Sequence, residues 1–193
     1  VLRRARPGAE RDEAEAKMTR GLARLDRLVA QLLALSRVES GGSVLAKQPV
    51  AWAALVEQVM NDCLPLAERR RIELECDWAQ PAGREPLPLH GDAALLAVLL
   101  RKLLDNALRY APQGSTVTLR FDELALEVEN DAEPLSDEQL ARLGERFYRP
   151  EGQDEIGSGL GLSIVRRIAA LHGLDLRFER RDGGRGLRVR VGA

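Results

Sequence analysis

The spacing of apolar positions changes several times along the chain, and each change marks an element. Over residues 11–39, Met18, Leu22, Leu25, Val29 and Leu32 recur at alternating spacings of four and three, a heptad seam. Leu28, Leu33 and Leu35 widen that stripe, so the pattern predicts one long helix of a helical bundle rather than a two-stranded coil. A helix of roughly 28 residues, or about 40 Å, is long for a globular domain. It is expected to pack on a helix upstream and on its twin in a dimer. Glu39-Ser40-Gly41-Gly42-Ser43 then reads as a hinge or linker.

The remaining residues alternate helical and strand periods. A helix is expected over 51–71, carried by Leu55, Val59, Leu64 and Leu66, and a strand over 72–76. A loop with three prolines and a glycine follows at 80–88. Asp92 is placed to cap a helix over 93–110, in which Leu95, Leu96, Leu99, Leu100, Leu103, Leu104 and Ala107 form a broad buried face. Pro112 and Gly114 end it. Runs at 116–121 and 124–129 read as paired strands, 130–134 as a turn and 137–147 as a short helix. A charged loop at 149–155 leads to a helix on Leu162, Val165, Ile168, Ala169 and Leu171, stopped by Gly173. Strands at 174–180 and 187–191 close the chain as a hairpin across Asp182-Gly183-Gly184.

Composition narrows the class. With 45% hydrophobic and 31% charged residues the 193-residue chain reads as a soluble globular protein, and 4% aromatics predicts a core of Leu, Val and Ala. The net charge of −1 gives no bulk electrostatic case for nucleic acid. Cys63 and Cys76 lack metal-ligand spacing and read as reduced, partly buried thiols. No apolar run approaches the ~18 residues of a membrane span. The chain begins at Val1 without a signal peptide, as expected of a piece of a longer parent. Walker-type phosphate loops, Ser/Thr-kinase signatures and zinc-protease motifs are absent from the sequence.

Two stretches carry candidate chemistry. Gly157-Ser158-Gly159-Leu160-Gly161-Leu162 opens a helix. Three alternate glycines allow φ > 0 and close approach to a ligand, and a helix N-terminus offers unpaired N–H groups to a phosphate. The same stretch also reads as a plain surface turn. In the 93–110 helix, Lys102, Asn106 and then Arg109 or Tyr110 fall on one polar stripe beside the leucine face. A solvated flank accounts for Lys102 and Arg109, but Asn106 is a poor helix former where Ala or Glu is favoured by several tenths of a kcal/mol. His90 and His172 read as ordinary structural side chains.

Taken together and in order, Asn106 in Asn-Ala-x-Arg-Tyr, a turn after a strand, Glu145-Arg146-Phe147-Tyr148-Arg149-Pro150 and the glycine stretch resemble the N, G1, F and G2 boxes of sensor histidine kinases. Within that family the chain looks most like the bacterial quorum- and polymyxin-responsive sensors. The resemblance covers residues 48–191 and extends to 11–39, which looks like the second helix of the dimerisation domain. It implies a two-layer α/β sandwich of the GHKL (Bergerat) ATP-binding type at 41–193, preceded at 1–40 by part of a dimerisation bundle. It implies ATP and Mg²⁺ as cofactors, with Asn106 ligating the metal, Arg109 on phosphate and Tyr110 along the adenine. Gly157, Gly159 and Gly161 would bring backbone N–H groups to the phosphates. Asn130, Arg149, Leu160 and Leu162 complete the implied nucleotide set, and Phe147 and Tyr148 would anchor a lid by packing under it. The implied partners are a second protomer, the dimerisation helix and a response-regulator receiver domain. The implied location is the cytoplasmic portion of an inner-membrane bacterial sensor.

Two departures from the family pattern stand out. The adenine-reading aspartate falls at Asn130, which keeps an acceptor oxygen but loses a charge, a change on the order of 1 kcal/mol in ATP affinity. Two glycines that usually follow fall at Ala132 and Pro134. The phosphorylated histidine, in a His-Glu-x-x-x-Pro segment, has no counterpart in these 193 residues, so autophosphorylation is not expected of this chain alone. Two alternatives share the fold. One is a non-catalytic dimerising module that senses nucleotide. The other is a GHKL clamp ATPase, which would need a glutamate where Lys102 stands.

Overall fold

A computed structural model describes residues 47–78, 86–150, 158–181 and 185–192. The chain divides into two units, Val1–Gly42 and Ser43–Ala193, and every described residue belongs to the second. The heptad helix, the linker, most of the proline-rich loop, Gly157 and the Asp182-Gly183-Gly184 turn lie outside the described residues.

The elements in chain order are β1 (Gln48–Pro49), α1 (Trp52–Arg70), β2 (Glu73–Trp78), β3 (His90–Gly91) and α2 (Ala93–Tyr110). They continue with β4 (Thr116–Phe121), β5 (Ala125–Asn130), α3 (Asp137–Arg142), α4 (Gly161–Leu171), β6 (Asp175–Arg180) and β7 (Leu187–Gly192). Five strands form one mixed sheet in the order β2-β4-β5-β7-β6, in which only the β2–β4 pair is parallel. The short β1 and β3 pair separately.

The helices share one face of the sheet. Val117, Leu119 and Phe121 on β4, Leu126 and Val128 on β5, and Val189 and Val191 on β7 alternate inward and are nearly fully buried, the period-two pattern of a half-covered sheet. On this face α2 lies over β4 and β5, with α1 packed to one side of it and α4 to the other. Leu96, Leu99, Leu100, Leu104 and Leu108 of α2 have no accessible surface. Removing that much apolar area from water is the main source of stability.

The opposite face is polar, and its charges pair across strands. Arg188, Arg181 and Arg120 converge on the buried carboxylate of Glu129, while Arg190 bonds Glu127 and Asp122. Asp122 also accepts the backbone N–H groups of Leu124 and Ala125 at the β4–β5 turn. Burial alone would raise its pKa, yet those two N–H groups and Arg190 outweigh it and hold the carboxyl below its ordinary range.

Three differences from the sequence reading have physical causes. The expected 137–147 helix stops at Arg142, because Gly144 sits at φ +84 and Phe147 at φ +63. The second strand of the central pair runs one residue later, as Ala125–Asn130, which turns Asn130 to the helix side in register with Val117 and Leu187. The core also contains an aromatic cluster. The Trp52 and Phe121 rings lie 5.3 Å apart and those of Trp78 and Phe121 4.9 Å, and the Trp52 indole N–H donates to the Leu87 carbonyl at 2.8 Å. The two cysteines differ: Cys63 is buried and Cys76 exposed. Burial pushes the Cys63 thiol up to about 11 despite Arg101, with Asp105 and Asp62 adding to the rise, so it is not a nucleophile.

Candidate functional site

Helix α2 carries its two faces as the spacing requires. Asp92 caps it, accepting the Leu95 N–H at 3.1 Å, and Ala111 leaves the helix in an extended conformation before Pro112. Beside the leucine face, Lys102, Asn106, Arg109 and Tyr110 are half-buried. Arg109 forms a two-pronged pair with Asp105 one turn back, Nε–Oδ2 2.9 Å and Nη2–Oδ1 3.1 Å, which steers its guanidinium along the helix. No side-chain hydrogen bond among the described residues involves Asn106. Its amide oxygen therefore stands on a rigid helix without a protein donor competing for it.

The end of β5 supplies a second polar group. Asn130 is buried to 2% exposure on the helix-facing side, and its Nδ2 donates to the Asp131 carbonyl at 2.8 Å. Because that neighbour is a carbonyl, the amide nitrogen must face it. The oxygen is left as the acceptor available to a ligand. The following turn is fixed by Arg181, whose Nη1 lies 2.6 Å from Asp131 Oδ1. At Gly186 a Cβ would come within 2.4 Å of the Asn130 carbonyl.

The third part is the turn that opens α4. Leu160 is its N-cap and makes no side-chain capping bond, so the first N–H groups of α4 stay free of a side-chain cap. Of the two glycines of this stretch among the described residues, Gly159 has a positive φ, +70, while Gly161 is the first helical residue and has open space around it. The conformational freedom that glycine allows is used at Gly159, whereas Gly161 supplies room. A Cβ at Gly159 would lie 2.6 Å from the Phe147 carbonyl carbon, and the Phe147 N–H donates to the Gly159 carbonyl at 3.1 Å. Leu160 is buried, and Gly161 and Leu162 are half-buried. Ser163 Oγ donates to the Leu160 carbonyl at 2.9 Å, which tightens the first turn.

The Phe147 side chain is 70% exposed, and its backbone makes the tie to Gly159; the loop at 151–157 lies outside the described residues. Tyr148 is half-buried, with the Arg142 guanidinium 4.1 Å above its ring. Arg149 and Pro150 are half-buried. The elements bearing these residues meet at α2, which packs on both β5 and α4. His172 is structural as expected, accepting the Asp92 N–H through Nε2 at 3.0 Å and donating through Nδ1 to the Ile168 carbonyl at 2.8 Å. Two contributors escaped the sequence reading, Arg166 and Gly144. Arg166 reaches from α4 to the end of α3, and Gly144 leaves space for it.

Comparison with known proteins identifies the family. Residues 91–192 match the family described as histidine kinase-, DNA gyrase B-, and HSP90-like ATPase. The sensor protein QseC of Salmonella typhi is 40% identical over 169 residues, covering 87% of this chain and 36% of the relative. The chain thus spans about a third of the length of that curated relative. The cytoplasmic segment of histidine kinase QseC superposes with a TM-score of 0.59 at 29% identity, over 88% of this chain and 92% of that one. Full-length ShkA in complex with AMPPNP shares the fold, with a TM-score of 0.78 at 23% identity over 95% of this chain and 38% of that one. The family match covers more than half of the chain, and the chain belongs to the family of histidine kinase-, DNA gyrase B- and HSP90-like ATPases, with an ATP-binding domain of the sensor histidine kinase type.

Proposed function

We propose that this chain is the part of a sensor histidine kinase that binds Mg-ATP and presents its γ-phosphoryl group to a histidine, from which a response-regulator aspartate is phosphorylated. The observation that carries the proposal is Asn106: an amide oxygen free of protein donors, on the helix that packs against both the α4 N-terminus and the strand ending in Asn130. Mg²⁺ favours few protein oxygens alongside phosphate and water, and one neutral amide oxygen fits that demand. Asn106 would hold the metal, which would neutralise phosphate charge during transfer.

The other roles follow from local chemistry. Arg109 would contact phosphate while Asp105 fixes its plane, and Tyr110 would lie along the base. Asn130 would accept from the exocyclic amine of adenine through its oxygen, the nitrogen being committed to Asp131. Gly157, Gly159, Leu160, Gly161 and Leu162 would direct backbone N–H groups at the phosphates, with Arg149 entering from the preceding turn. Lys102 stands where a clamp ATPase would need a general base, and a protonated ammonium cannot activate water. Residues 1–40 would form part of the dimerisation bundle of a homodimer, and the parent would be an inner-membrane sensor with this portion in the cytoplasm.

The 193 residues hold two histidines, the exposed His90 and the buried His172, and neither lies in a His-Glu-x-x-x-Pro segment. Incubation with γ-labelled ATP should therefore leave no acid-labile label on this chain. A histidine-bearing dimerisation domain supplied in trans should acquire it. Acid-labile label on the chain alone would contradict this reading.

A further inference from the structure

Arg166 lies on the exposed side of α4, more than a turn beyond its start, where charged side chains normally point to solvent. Here the guanidinium turns back to α3. Its Nη2 donates to the carbonyl of Leu143, the residue that ends α3, at 2.6 Å. The next residue, Gly144, has φ +84, and a Cβ there would stand 3.0 to 3.3 Å from Nε, Nη2 and Cζ of Arg166. Gly144 thus reverses the chain and leaves a groove in which a flat cation fits.

Three residues further on, Phe147 occupies φ +63, a region that bulky residues rarely enter unless their surroundings impose it. The imposition is visible. The Phe147 N–H is bonded to the Gly159 carbonyl, and the missing Cβ of Gly159 admits the Phe147 backbone. The turn from Leu143 to Phe147 is therefore held at both ends, by a side chain of α4 at one and by the backbone just before α4 at the other. A planar fork suits the first of these tasks, since it can lie flat in the groove while donating edge-on to a carbonyl.

We propose that Arg166 is a positioning residue for nucleotide binding. Acting through the Leu143 carbonyl, it sets the Gly144–Tyr148 turn against Gly159 and so fixes the direction in which the first N–H groups of α4 point. The role rests on the nucleotide reading above. Because Arg166 is exposed, its replacement opens no cavity in the core, and ligand affinity should respond far more than stability.

The test uses the whole chain with Arg166→Met, Arg166→Lys and Gly144→Ala. Each variant is titrated calorimetrically with a non-hydrolysable ATP analogue and Mg²⁺, melted without nucleotide, and followed by hydrogen exchange at the Phe147 amide. Arg166→Met is expected to weaken binding by about tenfold or more and to speed exchange at Phe147. Arg166→Lys should recover part of both, and Gly144→Ala should repeat the loss. Arg166→Met binding within twofold of wild type overturns the role, as does a lowered melting temperature with unchanged affinity, the signature of a mere staple between α3 and α4. Should Arg166→Met fail to fold, the same outcomes are read from Arg166→Gln. Wild-type protein that binds no Mg-ATP analogue overturns the nucleotide reading and this role with it, an outcome distinct from wild-type binding that the variants leave intact.

Discussion

Helix α2 and the neck between α3 and α4 form two sides of one proposed site by opposite means. On α2 a face of fully buried leucines anchors the helix, and the polar stripe with Asn106 merely borders it. Stability and ligand contact reside in different side chains of the same helix. The neck has no such core. Helix α3 is six residues long and buries none of them, and Gly144, Phe147 and Gly159 all hold positive φ. Its tie to α4 includes the Phe147–Gly159 backbone hydrogen bond, the Arg166 guanidinium and the missing Cβ atoms of Gly144 and Gly159, so backbone contacts that set its stability also set its geometry. Function and stability should separate cleanly on α2, whereas at the neck they should be coupled at Gly159, where backbone meets backbone, and not at the exposed Arg166.

The largest effect should come from the leucine face. Leu104→Ala removes a side chain with no accessible surface and should cost about 2–5 kcal/mol of unfolding free energy, read from urea denaturation. Nucleotide affinity, measured where the variant is still folded, should stay near wild type. A cost below ~1 kcal/mol would mean that this face is not the anchor. Gly159→Ala comes next. It forces alanine into φ +70 and sets a Cβ 2.6 Å from the Phe147 backbone, with an expected cost of about 1–3 kcal/mol. Here affinity for Mg-ATP should fall together with stability. If affinity falls while the denaturation midpoint is unmoved, the coupling ascribed to Gly159 is wrong.

The same contrast explains what could be read in advance. The bounds of α2 follow from residues that agree with one another: a leucine period of three and four, a capping Asp92, and Pro112 just beyond. Asn106 was legible because it breaks the local rule, a poor helix former among leucines. At α3 the pattern misled, since Leu140, Leu143 and Phe147 keep helical spacing while the chain turns at Gly144. The family resemblance made Phe147 a lid anchor, but it did not show that its backbone, with the side chain 70% exposed, makes the tie to Gly159. Arg166 looks no different in sequence from Arg167 beside it, and its partner is a carbonyl 23 positions away. Likewise the pairing of Asp131 with Arg181, 50 positions apart, and the commitment of the Asn130 nitrogen to Asp131 depend on how β5 ends. Side chains that act through tertiary contacts to backbone leave no periodic signal.

The smallest expected effect on stability accompanies the largest on ligand. Asn106→Ala puts the best helix former on the edge of a well-anchored helix, so the folded state should be unchanged or stabilised by up to ~0.7 kcal/mol. Calorimetric titration of wild-type and Asn106→Ala protein with ATP, with and without Mg²⁺, tests the central claim directly. Wild type should bind ATP more tightly when Mg²⁺ is present, and the variant, equally well folded, should lose that enhancement and at least tenfold in affinity. Binding of Mg-ATP by Asn106→Ala at wild-type strength would contradict the assignment of Asn106 as the residue around which the site is built.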